Sequence, residues 1–337
     1  MAELKNRQWL VATRPDGIIK ESDFRWHETP VAPLKDGQIL VRNRAFSFDP
    51  TQRGWMSMDT YIPAIPIGNP MLAIAVGEVV ESKRPGFAKG DLVQGLFGWE
   101  DYTVTDGQGL FGTQKLPTGT DPLLALSLFG VTGLTAYFGT LTVGEVKQGD
   151  TFVVSGAAGA TGSVAGMIAK LKGCRVIGIA GGREKCAWLT QQAGFDEAID
   201  YKHDNVGEAL KRLCPKGLNV YFDNVGGEIL DHALAHLADG ARIVLCGAIS
   251  QYNQAGMVGA GIKNHLNLIL HRSRMEGFLV FQFAQRYPEA IADLMQWYGE
   301  GKIKNQLDVA EGLEQAPRTI IRLFTGANFG KQLLKLA

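Results

Sequence analysis

Tyr252, Asn224, Arg183 and Lys185 are the side chains whose type and placement point to chemistry. Each lies a few residues beyond a short apolar run of the kind that forms a buried strand. A tyrosine hydroxyl can orient a carbonyl or pass on a proton; Tyr252 can equally be a plain surface tyrosine. Asn224 sits in Asp223-Asn-Val-Gly-Gly227. Its amide can bind a ligand or close an Asx-type turn into the next helix. Arg183 and Lys185 can meet a phosphate, or stand as solvated charges on a surface helix. Cations at a helix start oppose its dipole, which favours the first use.

These groups need a frame, and Thr151 to Lys185 supplies it. Thr151-Phe-Val-Val-Ser155 reads as a buried parallel strand. Gly156, Gly159 and Gly162 follow and permit a tight turn and a close backbone approach. Val164, Met167, Ile168 and Leu171 then fall on one helical face. Arg175 to Ala180 reads as a second buried strand. Strand, glycine turn, helix and strand make a dinucleotide-binding unit, with a pyrophosphate at the helix start. The usual GxGxxG pattern would have alanine, Ala157, in its first position, and a purely structural connection also fits. An NAD-specific unit ends its second strand on an acid. Here Gly181 and Gly182 stand there, with Arg183 and Lys185 next, which points to a 2′-phosphate.

The alternation continues. Strands are expected at Ala198–Tyr201, Leu218–Asp223, Ala241–Cys246 and Glu276–Phe281, and helices at Arg183–Ala193, Val206–Leu213, Glu228–Leu237 and Pro288–Tyr298. That pattern implies a parallel sheet with right-handed crossovers and ligands outside the strands' carboxyl ends. Residues 1 to about 125 differ. Short runs such as Gly37–Ala45 and Leu92–Leu96, between Gly and Pro turn signals, suggest an antiparallel barrel-like domain. Asp121 or Thr120 should cap a helix with Pro122 in its first turn. The tail from about residue 305 is expected to return to the first domain. The boundaries expected are thus 1–125 with 305–337, and 126–304.

With 337 residues, 45% hydrophobic and 20% charged, two globular domains are expected. The formal net charge is zero, so no basic field recruits nucleic acid or an acidic membrane. No signal region or long apolar run is evident, which makes a cytoplasmic location the default expectation. Cys174, Cys186, Cys214 and Cys246 lack CxxC spacing and read as buried free thiols. His232 and His236 share an i, i+4 spacing without a third ligand candidate, so a partly exposed helix face is expected and no metal site. No hydrolase elbow of the form Gly-x-Ser-x-Gly occurs.

Four segments carry a resemblance to a known family. They are Ser155-Gly-Ala-Ala-Gly-Ala-Thr-Gly-Ser163, Ala169 to Gly181, Tyr221-Phe-Asp-Asn-Val-Gly-Gly227 and Cys246-Gly-Ala-Ile-Ser-Gln-Tyr-Asn253. With them the whole chain resembles the zinc-independent medium-chain dehydrogenase/reductases. Within these it is similar to the leukotriene/prostaglandin reductases, the plant alkenal double-bond reductases and the bacterial NADPH-dependent curcumin reductases. The resemblance implies a GroES-like, mainly β catalytic domain beside a Rossmann-like α/β domain, often as a homodimer. It implies NADPH contacts at Gly159, Ala160, Thr161 and Gly162, and at Lys185, Tyr201 and Asn224. Further contacts are implied along Cys246, Gly247, Ala248, Ile249, Ser250, Gln251 and Tyr252, at Phe278, Leu279 and Val280, and at Asn328. Zinc-dependent relatives carry Gly-His-Glu where this chain has Gly68-Asn-Pro-Met71, and a ligand cysteine near Ser47 and Asp49. Members often read Asp-Pro-Tyr-Met-Arg; here the run is Asp49-Pro-Thr-Gln-Arg-Gly-Trp-Met56. Thr51 replaces a substrate-facing tyrosine, so Trp55, Met56 and Tyr61 are expected to reshape the pocket.

The activity so implied is NADPH-dependent reduction of the carbon–carbon double bond of α,β-unsaturated ketones and aldehydes, curcumin-like molecules among them. Tyr252 is the candidate for orienting the enolate or supplying its proton. An NADPH quinone reductase and a non-catalytic dinucleotide-binding redox sensor are the alternatives. A hydrogen bond to a charged group contributes about 1.5–3 kcal/mol. Lys185→Ala should therefore raise the Michaelis constant for NADPH about tenfold or more. Steady-state kinetics with NADPH and NADH checks this; an unchanged preference between them removes the phosphate assignment.

Overall fold

Alternating strand patterns give way to continuous apolar ones near residue 150, and the sheets change with them. The computed structural model describes residues 4–254, 256, 259 and 261–336. It contains two units, Met1–Leu126 with Leu307–Ala337, and Ser127–Gln306.

In the first unit, β1 (Lys5–Val11) and β2 (Phe24–Pro30) form an antiparallel ribbon. β3 (Ile39–Ser47) leads through the short α1 (Gln52–Trp55) to β4 (Leu72–Ser82), β5 (Leu92–Gly98), β6 (Tyr102–Thr105) and β7 (Gln114–Lys115). The strands from β3 to β7 pair antiparallel. Their apolar faces enclose Phe46, Phe48, Trp55, Phe97 and Trp99. The Trp99 ring stacks on Phe24 at 5.1 Å and tilts against Phe48 at 5.0 Å. Asp121 caps α2 (Pro122–Ala125) by accepting from the Leu123 N–H at 2.8 Å, with Pro122 opening the helix as its fixed φ favours.

The second unit opens on α3 (Val131–Phe138). Then come β8 (Thr151–Ser155), α4 (Ala160–Leu171), β9 (Arg175–Ala180), α5 (Arg183–Gln191), β10 (Glu197–Asp200), α6 (Val206–Leu213), β11 (Leu218–Asp223), α7 (Gly227–Leu234), β12 (Leu237–Leu245), α8 (Leu266–Leu270), β13 (Arg274–Gly277) and α9 (Tyr287–Gly299). The sheet order is β10-β9-β8-β11-β12-β13, all parallel. The chain starts at the centre, runs out one side, then returns to the other. The direction reverses between β8 and β11, and crevices that bind ligands form at such reversals. Phe152, Val153, Val154, Val220, Tyr221 and Phe222 are wholly buried, because helices cover both faces of the sheet. On α4 the buried set exceeds the expected face: Ala165, Gly166 and Ala169 are buried along with Val164, Met167 and Ile168, while Leu171 is only half-buried.

Three local expectations are corrected. The helix expected to reach Leu237 ends at Leu234, because Leu237 pairs with Leu218 of β11 and starts β12. His236 therefore lies beyond α7 and does not share its face with His232; burial lowers its pKa. The strand expected at Glu276–Phe281 is β13, ending at Gly277, which is paired with Leu245, the last residue of β12. The pairing stops there among the described residues, and Val280–Arg286 forms a 3₁₀ helix.

The chain then returns to the first unit as β14 (Leu307–Glu311), α10 (Ala316–Thr325) and β15 (Lys331–Lys335). The first unit's large sheet runs β14-β15-β3-β4-β5-β7, with β6 on β3. β15 lies antiparallel to β3, placing Leu333 opposite Ser47. No helix among the described residues is long and apolar enough to cross a membrane.

Candidate active site

The last residues of β8 and β11, Ser155 and Asp223, meet at the reversal point. The Asp223 side chain is buried. Its Oδ1 accepts from the Ser155 hydroxyl at 2.8 Å, the Tyr221 hydroxyl at 3.1 Å and the Val225 N–H at 3.1 Å. The Gly226 N–H lies 3.0 Å from both carboxylate oxygens. The Asp223 backbone carbonyl accepts from Cys246 and Gly247 N–H at 2.9 and 3.0 Å. One residue thus ties together the ends of β8, β11 and β12. Burial raises its pKa, and the donors from Gly226, Ser155, Val225 and Tyr221 pull it back.

Asn224 completes the joint. Its amide NH₂ donates to the Ser155 carbonyl at 2.7 Å, and its backbone N–H to the Ser155 hydroxyl at 2.9 Å. The side-chain nitrogen is therefore engaged with β8, and the Asx-type geometry belongs to Asp223, whose Oδ1 accepts from the Val225 N–H two residues on. Beyond Ser155 the chain turns, with Gly156 at φ +58° and the Ala157 N–H on the Ile179 carbonyl of β9 at 3.0 Å. Gly162 must be glycine: a Cβ there would sit 2.4 Å from the Gly156 carbonyl oxygen. Gly159 is the N-cap of α4 and no side chain caps the helix. That is the form an anion-binding helix start takes, with Ala160, Thr161 and Gly162 in its first turn.

At the tip of β9 an acid is present after all, contributed by the end of β10. Asp200 accepts from the Gly182 N–H at 2.7 Å and the Lys202 N–H at 3.1 Å, and meets His203 Nδ1 at 2.7 Å. Burial alone would raise its pKa; the bonds from Gly182, His203 and Lys202 outweigh that and hold it below the usual value. The carboxylate is thereby engaged with the backbone that opens α5. Arg183 is exposed and Lys185 half-buried on that first turn. The partly exposed Tyr201 ring lies over Gly181, where a Cβ would meet it at 2.8 Å.

Tyr252 closes the loop after β12. Its hydroxyl oxygen accepts from the Ala248 N–H at 3.1 Å, which leaves the hydroxyl's own proton available to donate. Burial, opposed by that bond and aided by Cys246 and Asp223, raises its pKa, so it stays protonated through neutral pH. The loop is pinned to the Asn224 turn: Ile249 N–H donates to the Asn224 carbonyl at 3.3 Å, and the Ser250 hydroxyl to the Val225 carbonyl at 2.6 Å. Gln251 N–H turns back to the Ala248 carbonyl at 2.8 Å. Phe278 and Val280 are buried and Leu279 is exposed. Asn328 belongs to the other unit, where its amide donates to the Gly330 carbonyl at 3.2 Å.

In the first unit, Thr51 and Tyr61 hydroxyls share a hydrogen bond at 2.7 Å. The rings of Tyr61, Trp55 and Phe111 pack edge-on or tilted, 6.2 Å between centroids. Trp55 and Met56 need correction as pocket-lining residues: at 1% and 0% exposure they are core, since α1 turns their side chains into the β-sheet interior. Of the three, Tyr61 alone is partly exposed. Ser47 and Asp49 are bonded to each other, and Lys331 Nζ lies 2.5 Å from Asp49. A carboxylate already engaged by an ammonium does not suit a zinc ligand. Among the described residues no three His, Cys, Asp or Glu side chains gather to hold a metal.

All four cysteines are free; Cys174 and Cys214 are buried, but Cys186 and Cys246 only partly so, lying on an outer helix turn and in a loop. Burial pushes the thiols of Cys174, Cys186 and Cys214 up to about 11 and, with help from Asp223, that of Cys246 to about 12. Sequence reasoning missed the parts played by Ser155, Asp200 and Asp223. The available signal was that each is a polar residue ending an apolar strand at the sheet's carboxyl edge.

A parallel sheet with an uncapped helix start at its reversal point, in a chain that also carries an antiparallel β unit, defines a nucleotide-dependent dehydrogenase/reductase fold. A family model described as the N-terminal domain of oxidoreductase matches residues 7–113, and one described as zinc-binding dehydrogenase matches residues 160–297. The NADPH-dependent curcumin reductase of Escherichia coli (strain K12) is 40% identical, over 99% of this chain and 97% of that one. The 2-alkenal reductase (NADP(+)-dependent) of Nicotiana tabacum is 39% identical, over 99% and 98%. The crystal structure of CurA from Vibrio vulnificus in complex with NADPH superposes with a TM-score of 0.91 at 40% identity, covering 98% of this chain and 99% of that one. The chain belongs to the zinc-independent medium-chain dehydrogenase/reductases, in the alkenal, prostaglandin and curcumin reductase subfamily.

Asp223→Asn would turn an amide nitrogen toward donors that now meet oxygen. Unsatisfied buried donors of this kind cost about 1–3 kcal/mol each. Urea unfolding should show a loss of about 3 kcal/mol, with weaker NADPH binding in a fluorescence titration. Stability within about 0.5 kcal/mol of the parent would mean the joint does not depend on this carboxylate.

Proposed function

We propose that this protein reduces the carbon–carbon double bond of α,β-unsaturated ketones and aldehydes with NADPH. The observation that carries the reading is full-length likeness, at about 40% identity, to proteins named as NADPH-dependent curcumin reductase and 2-alkenal reductase. The cradle fits the cofactor. The uncapped start of α4 suits the pyrophosphate, with Gly159 to Gly162 leaving room for it. Lys185 on α5 suits the 2′-phosphate, and the Tyr201 ring can cover the adenosine. Phe278 to Val280, the Cys246–Tyr252 loop and Asn328 are assigned to the rest of the cofactor surface, and Asn224 to holding the turn beneath it.

When bound, NADPH would supply the hydride for the β-carbon of the substrate. The negative charge that this places on the carbonyl oxygen needs a hydrogen-bond donor, and the α-carbon takes its proton from solvent water. Tyr252 can stabilise that oxygen, because the Ala248 N–H leaves its proton free to donate and its raised pKa keeps it protonated. The loop holding it is already bonded to Asn224 and Val225, so little reorganisation is needed when charge appears. Thr51 takes the place of a substrate-facing tyrosine in the resemblance, and Tyr61, bonded to it at 2.7 Å, is assigned to the substrate side with it.

A panel of enones, enals and quinones with 4-deuterated NADPH tests the reaction. Saturated enone product with deuterium at the β-carbon is expected; turnover of quinones alone would make it a quinone reductase, and no turnover a binding protein. Tyr252→Phe should lower kcat on an enone about 10²-fold or more while the NADPH dissociation constant holds. Full retained turnover would remove Tyr252 from the chemistry.

We further propose that two copies associate through the second unit. β13 ends the sheet order, and its outer edge pairs with no strand among the described residues. The neighbouring α8 exposes Leu266, Ile269 and Leu270. An open edge beside apolar side chains suits a second copy of the same edge. Light scattering on the eluted protein should give twice the chain mass of 36.5 kDa; a monomer at micromolar concentration would refute it.

A further inference from the structure

Lysine is among the side chains least often fully buried. Lys331, the first residue of β15, is 2% exposed. Its ammonium donates to the Phe48 carbonyl at 3.1 Å and to Asp49 Oδ1 at 2.5 Å, across 282 positions of sequence. The second Asp49 oxygen accepts the Ser47 hydroxyl. The Asp49 N–H donates to Gln52 Oε1 at 2.8 Å, and Gln52 Nε2 to the Leu72 carbonyl of β4 at 2.8 Å. The Phe48 N–H reaches the Gln332 carbonyl at 3.1 Å. The turn that joins β3 to α1 is therefore fixed from both sides, by β15 and by β4.

Thr51 sits within that turn, and its hydroxyl meets Tyr61 at 2.7 Å. Tyr61 lies in a loop whose ends are clamped: the Arg14 guanidinium donates to the carbonyls of Met56 and Ile65, the latter at 2.6 Å. The Ile65 N–H also donates to the Trp55 carbonyl at 2.8 Å. The loop end is thus held firmly, and the relative placement of the two hydroxyls depends on the Asp49 turn.

A buried ion pair is a costly way to hold a fold, since apolar residues of similar volume often serve as well. What it offers over them is direction. We propose that Lys331 is a positioning residue for the substrate side of the reaction: its ammonium fixes the Asp49 turn, and so sets where the Thr51–Tyr61 hydroxyl pair meets the enone. This rests on the enone-reductase reading above.

The test uses the full chain with NADPH and an enone that the parent reduces, and the variants Lys331→Met, Asp49→Asn and the two combined. Lys331→Met should lower kcat/KM for the enone at least tenfold, while the NADPH dissociation constant stays within threefold. It should also lower Tm, because Asp49 loses its partner. The combined variant removes both charges; Tm should recover, but kcat/KM should not, because the bonds that aim the turn are still missing. If Lys331→Met does not fold, the combined variant gives the same readout. Unchanged kcat/KM in either variant, or its recovery together with Tm in the combined one, overturns the assignment, as does loss of NADPH binding. A parent inactive on every enone would overturn the enone reading and this inference with it. An active parent with indifferent variants would overturn this inference alone.

Discussion

The second unit depends on how one buried carboxylate is satisfied. A parallel sheet exposes the ends of its strands at one edge, and at the reversal point two neighbours diverge with no crossover between them to cover the gap. Asp223 fills that gap. Its side chain takes donors from Ser155, Tyr221, Val225 and Gly226, and its carbonyl takes those of Cys246 and Gly247. A carboxylate in such a place is expensive unless every lone pair is used. Here Oδ1 takes four donors and Oδ2 shares the Gly226 N–H, and through these bonds the ends of β8, β11 and β12 are tied together.

The first unit solves a similar problem with the opposite sign. There the buried group is the Lys331 ammonium, and carbonyl and carboxylate oxygens gather around it. Both devices stand where a strand ends and an irregular segment begins. Backbone in such segments cannot satisfy itself through a sheet or helix ladder. A single charged side chain with several bonds replaces that ladder and leaves the segment with one conformation.

What the sequence made legible follows the range of the interactions. β8, β9 and β11 were readable because parallel strands covered on both faces leave continuous apolar runs. The start of α4 was readable from Gly156 to Gly162, since local backbone crowding demands small residues there. The boundary at Leu237 was not, because helix and strand compete for it and the pairing with Leu218, distant in sequence, decides. Nor was the acid at the β9 tip, which comes from the neighbouring strand as Asp200. Trp55 and Met56 read as pocket residues from their place in a motif, but side-chain direction, which composition does not carry, sends them into the core. Lys331 and Asp49 are nearly a chain length apart, so neither marks the other in sequence. Tyr252 and Asn224 can be singled out as candidates because loops after strands are few, whereas the bonds that hold Asn224 to Ser155 are visible only in three dimensions.

The four thiols bear on how such a protein survives its own chemistry. Conjugated carbonyl compounds are soft electrophiles, and the thiolate is the nucleophile that they capture. With thiols pushed up to about 11 and about 12, the reactive thiolate is disfavoured at neutral pH. For Cys246, which opens the Tyr252 loop, the nearby Asp223 carboxylate adds to the effect of burial. The desolvation that raises these thiols therefore also disfavours the form that conjugated carbonyl compounds would capture.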